Sequence, residues 1–263
     1  MLTKLAKPLT ILILSLALLA GPVMAAEITS LGDAINQAGR QRMLSQRIVR
    51  AYSQILLNAD PDIAKKQLKG ALSLFQVQLD NLKAYSPSAT ISTDLDEVDA
   101  LWQPFRQAAE ADITDEGLNM LVDINEALLA AAHKVVLDLE ARSTTPAGRL
   151  VNIAGRQRML SQRMGKFYML HAYGIRNETI HAGLIKAIAE FQQAHTELKE
   201  APLNTRQIRD GLTQVEKAWK VLNSTFSSLE SGIYSPLTVA IYTENVLQQM
   251  NSITGQYATL STD

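Results

Sequence analysis

Two arginines stand where a side chain could hold a ligand inside a helical protein. Arg42 and Arg158 each lie in the segment AGRQRMLSQR, which runs from Ala38 to Arg47 and recurs unchanged 116 residues later, from Ala154 to Arg163. The apolar residues around both copies recur every three or four positions, as in a helix that buries one face. Both arginines fall on that apolar face, where a guanidinium needs a counter-charge or a route to water.

The repeated segment contains further residues that suit a small ligand site. One helical turn before each arginine stands a glycine, which costs about 1 kcal/mol relative to alanine inside a helix, so a helix or a ligand is expected to approach the backbone there. Two arginines meeting at one level would repel, and a small anion held by bidentate hydrogen bonds would relieve that repulsion. The alternative is that each arginine extends to water or pairs with a carboxylate. In each copy of the segment one serine lies on the same apolar face and one further arginine, Arg47 or Arg163, lies at its flank. Arg40 is expected on a solvated face. The predicted ligand-binding residues are Arg42, Arg158, Gly39, Gly155, Ser45, Ser161, Arg47 and Arg163.

Helices must position these residues, because helical periodicity runs through the chain and no stretch alternates as a strand does. Breaks containing proline, glycine or asparagine divide each repeat into four helices with short connections, the pattern of an antiparallel bundle. The sequence therefore predicts an all-α fold of two tandem antiparallel four-helix bundle units, residues 28–144 and 145–263. The short joint at Ser143–Pro146 favours first helices that lie side by side and parallel. One continuous kinked helix, with the units stacked end to end, is the alternative.

The first 25 residues have the composition of a secretory signal. They contain two lysines, an apolar run from Leu9 to Ala20 and a V-x-A ending at Ala25, and the run is too short for a membrane span of about 20 residues. We expect export to the periplasm with cleavage after Ala25, or a membrane-anchored form if the signal stays. Cleavage changes the formal charge from −1 to −3, so nucleic acid is not expected as a partner. An exported chain without cysteine uses no disulfide and no thiolate.

The residues give little support to catalysis, metal binding or a cofactor. One E-x-x-H pattern occurs, Glu178–His181, whereas di-iron bundles need two such patterns and two further glutamates. Covalent c-type haem needs cysteine, which is absent, while non-covalent haem between a Met and a His stays open. Hydrolase, phosphate-loop and H-E-x-x-H motifs do not occur. We therefore expect no enzyme activity, no metal site and no cofactor.

The pattern G-x-x-R-M-x-S-x-R on the first helix of each unit resembles the helical sensor domain of NarX-type nitrate/nitrite sensor kinases and PilJ-type pilus-associated chemotaxis transducers. The resemblance is specific at Asn36–Arg47 and Asn152–Arg163 and covers both units in outline. It implies a periplasmic four-helix bundle with a nitrate site between the first helices of two subunits. The arginine before the methionine would contact the anion from each side, which here means Arg42 and Arg158.

The resemblance implies a periplasmic sensor module that binds nitrate or nitrite. The chain carries two copies of the pattern, and we expect it to depart from the family in having no flanking membrane helices and no kinase or methyl-accepting segment after Asp263. We therefore expect it to act through a membrane-bound receptor or sensor partner. Whether the site lies within one chain or between two chains of a homodimer stays open. A structural or adaptor protein that docks on a receptor without a small ligand is the alternative function.

Overall fold

The computed structural model describes residues 27–143 and 146–260. The predicted signal, residues 1–25, and the predicted unit boundary at 144/145 lie outside the described residues and stay predictions. Within the described ranges the chain forms eight α-helices, one short 3-10 turn and no strand, so the predicted all-α fold is confirmed. The helices are α1 Leu31–Leu56, α2 Pro61–Tyr85, α3 Ala89–Glu110, α4 Asp115–Glu140, α5 Pro146–Tyr173, α6 Glu178–Glu200, α7 Arg206–Ser227 and α8 Pro236–Thr259, with the 3-10 turn at Leu229–Ser231.

Side-chain caps explain where most of these helices begin. In each of six helices the residue before the first turn accepts a hydrogen bond from the backbone N–H three positions later, which satisfies a donor that the helix itself leaves unpaired. Proline at the start of α2 and α8 adds a backbone angle that is already helical. The capping residues are Ser30, Asp60, Ser88, Thr114, Asn177 and Thr205.

The eight helices form two equivalent sets that meet along α1 and α5. In the first set α1 packs on α2 and α4, and α3 packs on α4; in the second, α5 packs on α6 and α8, and α7 on α8. The helices α1 and α5 also pack along each other, with equivalent positions of the two repeats at one level. The side-by-side arrangement is therefore confirmed, and the end-to-end alternative is wrong.

The two first helices lie at the centre of the molecule. Twenty of the 26 residues of α1 are buried, including polar ones, because neighbours surround this helix on almost every side. Outside it, each unit has an aromatic core: Trp102 stacks on Phe75 with ring centroids 3.9 Å apart, and Trp219 lies 4.9 Å from Phe191. Because α1 and α5 are buried, their polar groups must find partners inside the protein. None of the described helices is both long and apolar enough to cross a membrane.

Candidate functional site

The two predicted arginines meet at the interface between α1 and α5. Arg42 is 1% exposed and Arg158 is 0% exposed. A methyl group added at Gly39 would lie 3.3 Å from Nη2 of Arg158 and 3.4 Å from Nη2 of Arg42, and one added at Gly155 would lie 3.2 and 3.5 Å from the same atoms. Both guanidinium groups therefore lie between the two glycines, whose missing side chains give them room.

Each arginine crosses the interface to an asparagine on the other helix. Arg42 donates from Nη2 to Oδ1 of Asn152 at 2.9 Å. Arg158 donates from Nη1 to Oδ1 of Asn36 at 2.9 Å and from Nη2 to the carbonyl oxygen of Asn36 at 3.2 Å. Because Asn36 and Asn152 are equivalent in the repeat, the exchange is reciprocal and fixes α1 and α5 in register. Sequence reasoning recorded both asparagines as matching positions but gave them no role.

The fourth helix of each unit supplies one more acceptor. Nη1 of Arg42 lies 3.0 Å from Nδ1 of His133 on α4, and Nη1 of Arg158 donates to Oδ1 of Asn251 on α8 at 3.1 Å. Since a guanidinium only donates, Nδ1 of His133 must be unprotonated. Burial and the nearby charge of Arg42 lower the pKa of His133 to about 4, so its ring is neutral near pH 7. Nothing in the sequence indicated that this histidine contacts the arginine pair.

The charge of the arginine pair is poorly matched. Neither arginine forms an ion pair with a described carboxylate, and Nε of each has no hydrogen-bond partner among the described residues. Burial first, and the charge of Arg156 second, lower the pKa of Arg42 to about 9, although the negative charge of Glu140, which accepts a hydrogen bond from Asn152, opposes this. Burial and the charges of Arg40 and Arg42 hold the pKa of Arg158 well below its usual range. Since arginine stays charged in folded proteins, the direction of these shifts indicates that burying the two cations is unfavourable.

A second pair of buried cations, two turns further along the same helices, is better matched, although burial still lowers the pKa of Arg50 to about 10 and that of Lys166 to about 8. Arg50 donates to the side-chain oxygens of three glutamines and lies 3.7 Å from Glu244. Its repeat equivalent Lys166 donates to Asn125 and Glu126, both at 2.7 Å. The fold thus places a carboxylate beside each buried cation at this level, whereas Arg42 and Arg158 receive only neutral acceptors. Sequence reasoning missed this pair, although its offset of eight residues from Arg42 and Arg158 on one helix face was a usable signal.

The other predicted ligand residues have partners of their own. Ser45 and Ser161 donate to the carbonyl oxygens of Arg42 and Arg158, at 2.9 and 2.8 Å. Arg47 pairs with Glu244 at 2.7 Å and Arg163 with Glu126 at 2.8 Å, each across the two units. Of the eight predicted residues, the structure brings together the arginine pair and the two glycines. Anion contact by the serines, Arg47 and Arg163 stays a prediction.

The expectation for Arg40 was wrong. We predicted a solvated side chain, but Arg40 is half-buried, and burial lowers its pKa. The reason is that α1 has neighbours on nearly all sides and so offers little solvated face. Arg40 also adds positive charge near Arg158. No group of three or more His, Asp, Glu or Cys side chains within the described ranges could hold a metal ion.

A family model decides where this chain belongs. The model described as type IV pili methyl-accepting chemotaxis transducer N-terminal domain, PilJ, matches residues 24–123 and 141–251. The chain belongs to the PilJ family. The match in two segments agrees with two tandem copies of a domain from a signalling, sensor-type family. Comparisons with curated proteins and with solved structures gave no match.

Proposed function

We propose that this chain is a ligand-binding sensor module that holds one small planar anion, nitrate or nitrite, between Arg42 and Arg158. The observation that carries the proposal is the pair of buried guanidinium groups that meet between two glycines without a carboxylate partner. An anion between them would offset both the desolvation of the cations and their mutual repulsion.

The chemistry of the guanidinium favours a planar oxyanion. Each group offers parallel N–H donors that match two oxygens in one plane, and Nε of both Arg42 and Arg158 still has donor capacity. A methyl group at either glycine would lie only 3.2–3.5 Å from both guanidinium groups, so an anion held between them has to be small. Nitrate and nitrite meet both conditions, and they are the ligands that the resemblance in the repeated segment implies.

A single chain would hold the complete site. Arg42 belongs to the first repeat and Arg158 to the second, and both lie at the contact of α1 with α5. Binding would therefore be one anion per chain and would not require a homodimer. For location and output, we propose a periplasmic module that acts through a membrane-bound receptor or sensor partner; the signal-like residues 1–25 and membership in a chemotaxis transducer family support this.

Titration calorimetry with nitrate, nitrite and sulfate tests the proposal. The wild-type protein should bind nitrate or nitrite at one site per chain, and Arg42→Met and Arg158→Met should each reduce affinity at least about tenfold, because each removes charge-assisted hydrogen bonds of about 1.5–3 kcal/mol. The control is Arg206→Met, which removes the same charge from a side chain that is 92% exposed and should leave affinity unchanged.

Two results would contradict the proposal. Similar small losses in all three variants would mean that bulk charge attracts the anion without a defined site. Absence of binding by the wild-type protein would favour the adaptor function, in which the helical surface docks on a receptor without a small ligand. Sedimentation with and without nitrate separates a site within one chain from a site between two, because only the second predicts that the anion drives dimerisation.

A further inference from the structure

A cleft between α4, α5 and α6 reaches the arginine pair from one side. Its cavity has a volume of about 210 Å³, and Arg42 forms part of its wall together with Ala130, His133, Arg156 and Lys186. Arg42 and His133, which are joined by a hydrogen bond, both line it, and Arg42 is 1% exposed. The cleft therefore connects solvent with a guanidinium that is otherwise buried.

The wall of the cleft has an excess of positive charge. Four cationic side chains line it against two carboxylates, Glu126 and Glu190. The carboxylates already pair with Arg163 and Arg156, at 2.8 and 2.9 Å. Lys186 is exposed and has no ion pair with any described residue. A concave surface of one sign raises the local concentration of opposite ions and their association rate.

The equivalent face of the molecule also has a cavity, of about 520 Å³, but Arg158 does not form part of its wall and its two cationic side chains are balanced by two carboxylates. At the repeat offset of 116, Lys186 corresponds to Gly70. The matching contacts of α4 and α8 are offset by 118 residues, so His133 corresponds to Asn251, and the exposed Ala130 to Gln248. The lining residues that come from the repeated segment recur in the other unit, whereas Ala130, His133, Lys186 and Glu190 are replaced there by Gln248, Asn251, Gly70 and Leu74.

We infer that this cleft is the entrance through which the anion reaches the arginine pair, and that Lys186 and Arg156 are the residues that steer it inward. His133 is the last side chain before Arg42 on this route. The inference rests on the proposed function, since it concerns access to the same site. It assigns to Lys186 and Arg156 an effect on the association rate of the anion, although neither forms a hydrogen bond with Arg158.

Exchange kinetics measured by NMR line shapes over a nitrate titration test the entrance. Ala130→Trp places a large side chain at the mouth of the cleft and should lower kon and koff by the same factor, about tenfold, with Kd unchanged. The matched control is Gln248→Trp at the equivalent position of the second unit, which should leave both rates unchanged. Lys186→Gln should lower kon about threefold and weaken its dependence on salt, with koff unchanged.

The possible outcomes separate the two proposals. Wild-type protein that binds nitrate at rates unaffected by both Ala130→Trp and Lys186→Gln would overturn the entrance and leave the site standing. Equal slowing by Ala130→Trp and Gln248→Trp would also overturn it. Wild-type protein that binds neither nitrate nor nitrite would overturn the proposed function itself. If Ala130→Trp fails to fold, Lys186→Gln on the protein surface decides the question alone.

Discussion

Replacing two buried arginines of α1 with methionine should change stability in opposite directions. For Arg42→Met we expect a more stable protein in the absence of nitrate. A pKa lowered from about 12.5 to about 9 corresponds to roughly 5 kcal/mol of unfavourable free energy for the buried charge, and hydrogen bonds to His133 and Asn152 return roughly 3 kcal/mol. Both acceptors are only half-buried, so they regain water after the change. Methionine keeps the apolar length of the side chain and removes the repulsion on Arg158.

The expected gain is about 1–4 kcal/mol, as when buried charges are replaced by apolar residues of similar volume. Arg50→Met is the matched control, because Arg50 is equally buried, on the same helix, and hydrogen-bonded to Gln162, Gln54 and Gln67. Its removal leaves three amide oxygens and part of the charge of Glu244 without a partner. We expect a loss of about 3–5 kcal/mol.

Urea unfolding in a buffer with a bulky anion, with and without nitrate, measures both effects. Nitrate at 100 times its Kd should stabilise the wild-type protein by about 2.7 kcal/mol and should leave Arg42→Met unchanged. The variant would then be more stable than wild type without nitrate, and added nitrate would reduce that difference by about 2.7 kcal/mol. A loss of stability in Arg42→Met as large as that in Arg50→Met would refute the reasoning, because it would mean that the charge of Arg42 is already matched.

Two further predictions concern the neighbours of the arginine pair. Gly39→Ala should weaken nitrate binding at least about tenfold, because the added methyl group lies 3.3 Å from Arg158 and displaces a guanidinium that charge-assisted bonds hold in place; calorimetry measures this. The free energy of unfolding of Gly39→Ala in urea should stay within about 1 kcal/mol of wild type, since alanine favours the helix. The control is Gly70→Ala, where nothing lies within 4 Å of the added methyl group. It should gain stability without a change in affinity for nitrate. For His133, whose pKa is about 4 when folded, the unfolded chain binds the proton first as the pH falls from about 6.5 to 4, so stability is lost in that window. His133→Asn should reduce that loss by about 1 kcal/mol, because the partly exposed ring is screened, and a pH series of urea transitions showing identical slopes for both proteins would contradict the assignment.

The fold could be predicted because its signals are local and repeated. Helical periodicity, helix caps and the exact recurrence of ten residues are all visible in one sequence. The contact between Arg42 and Arg158 could be predicted from the recurrence and from the capped joint between the units, since equivalent positions on parallel neighbouring helices lie at one level. Neither step required knowledge of how the helices rotate about their axes.

The rest of the site depends on that rotation and on the register of the fourth helices. His133 and Asn251 reach the arginines at an offset of 118 residues, not 116, so the repeat alone does not align them. Arg40 was misjudged for a related reason: a polar helix is usually exposed on one side, whereas α1 is enclosed by both its own unit and the other. Polar residues on such a helix form hydrogen bonds inside the protein, and helical periodicity does not distinguish them from polar residues exposed to solvent.

In a chain that contains two copies of a domain the two faces can carry different residues, which a symmetric homodimer does not allow. In a symmetric dimer every substitution appears twice, on equivalent faces, so a two-fold site has two identical approaches. Here the contacts at the centre keep the symmetry, as in the exchange of Asn36 and Asn152 between the arginines. Away from the centre the copies differ, with Lys186 on one face and Gly70 on the other. Fusion of the two units therefore permits a symmetric pair of cations to be combined with a single charged approach, because only the central residues must stay alike for the pair to form.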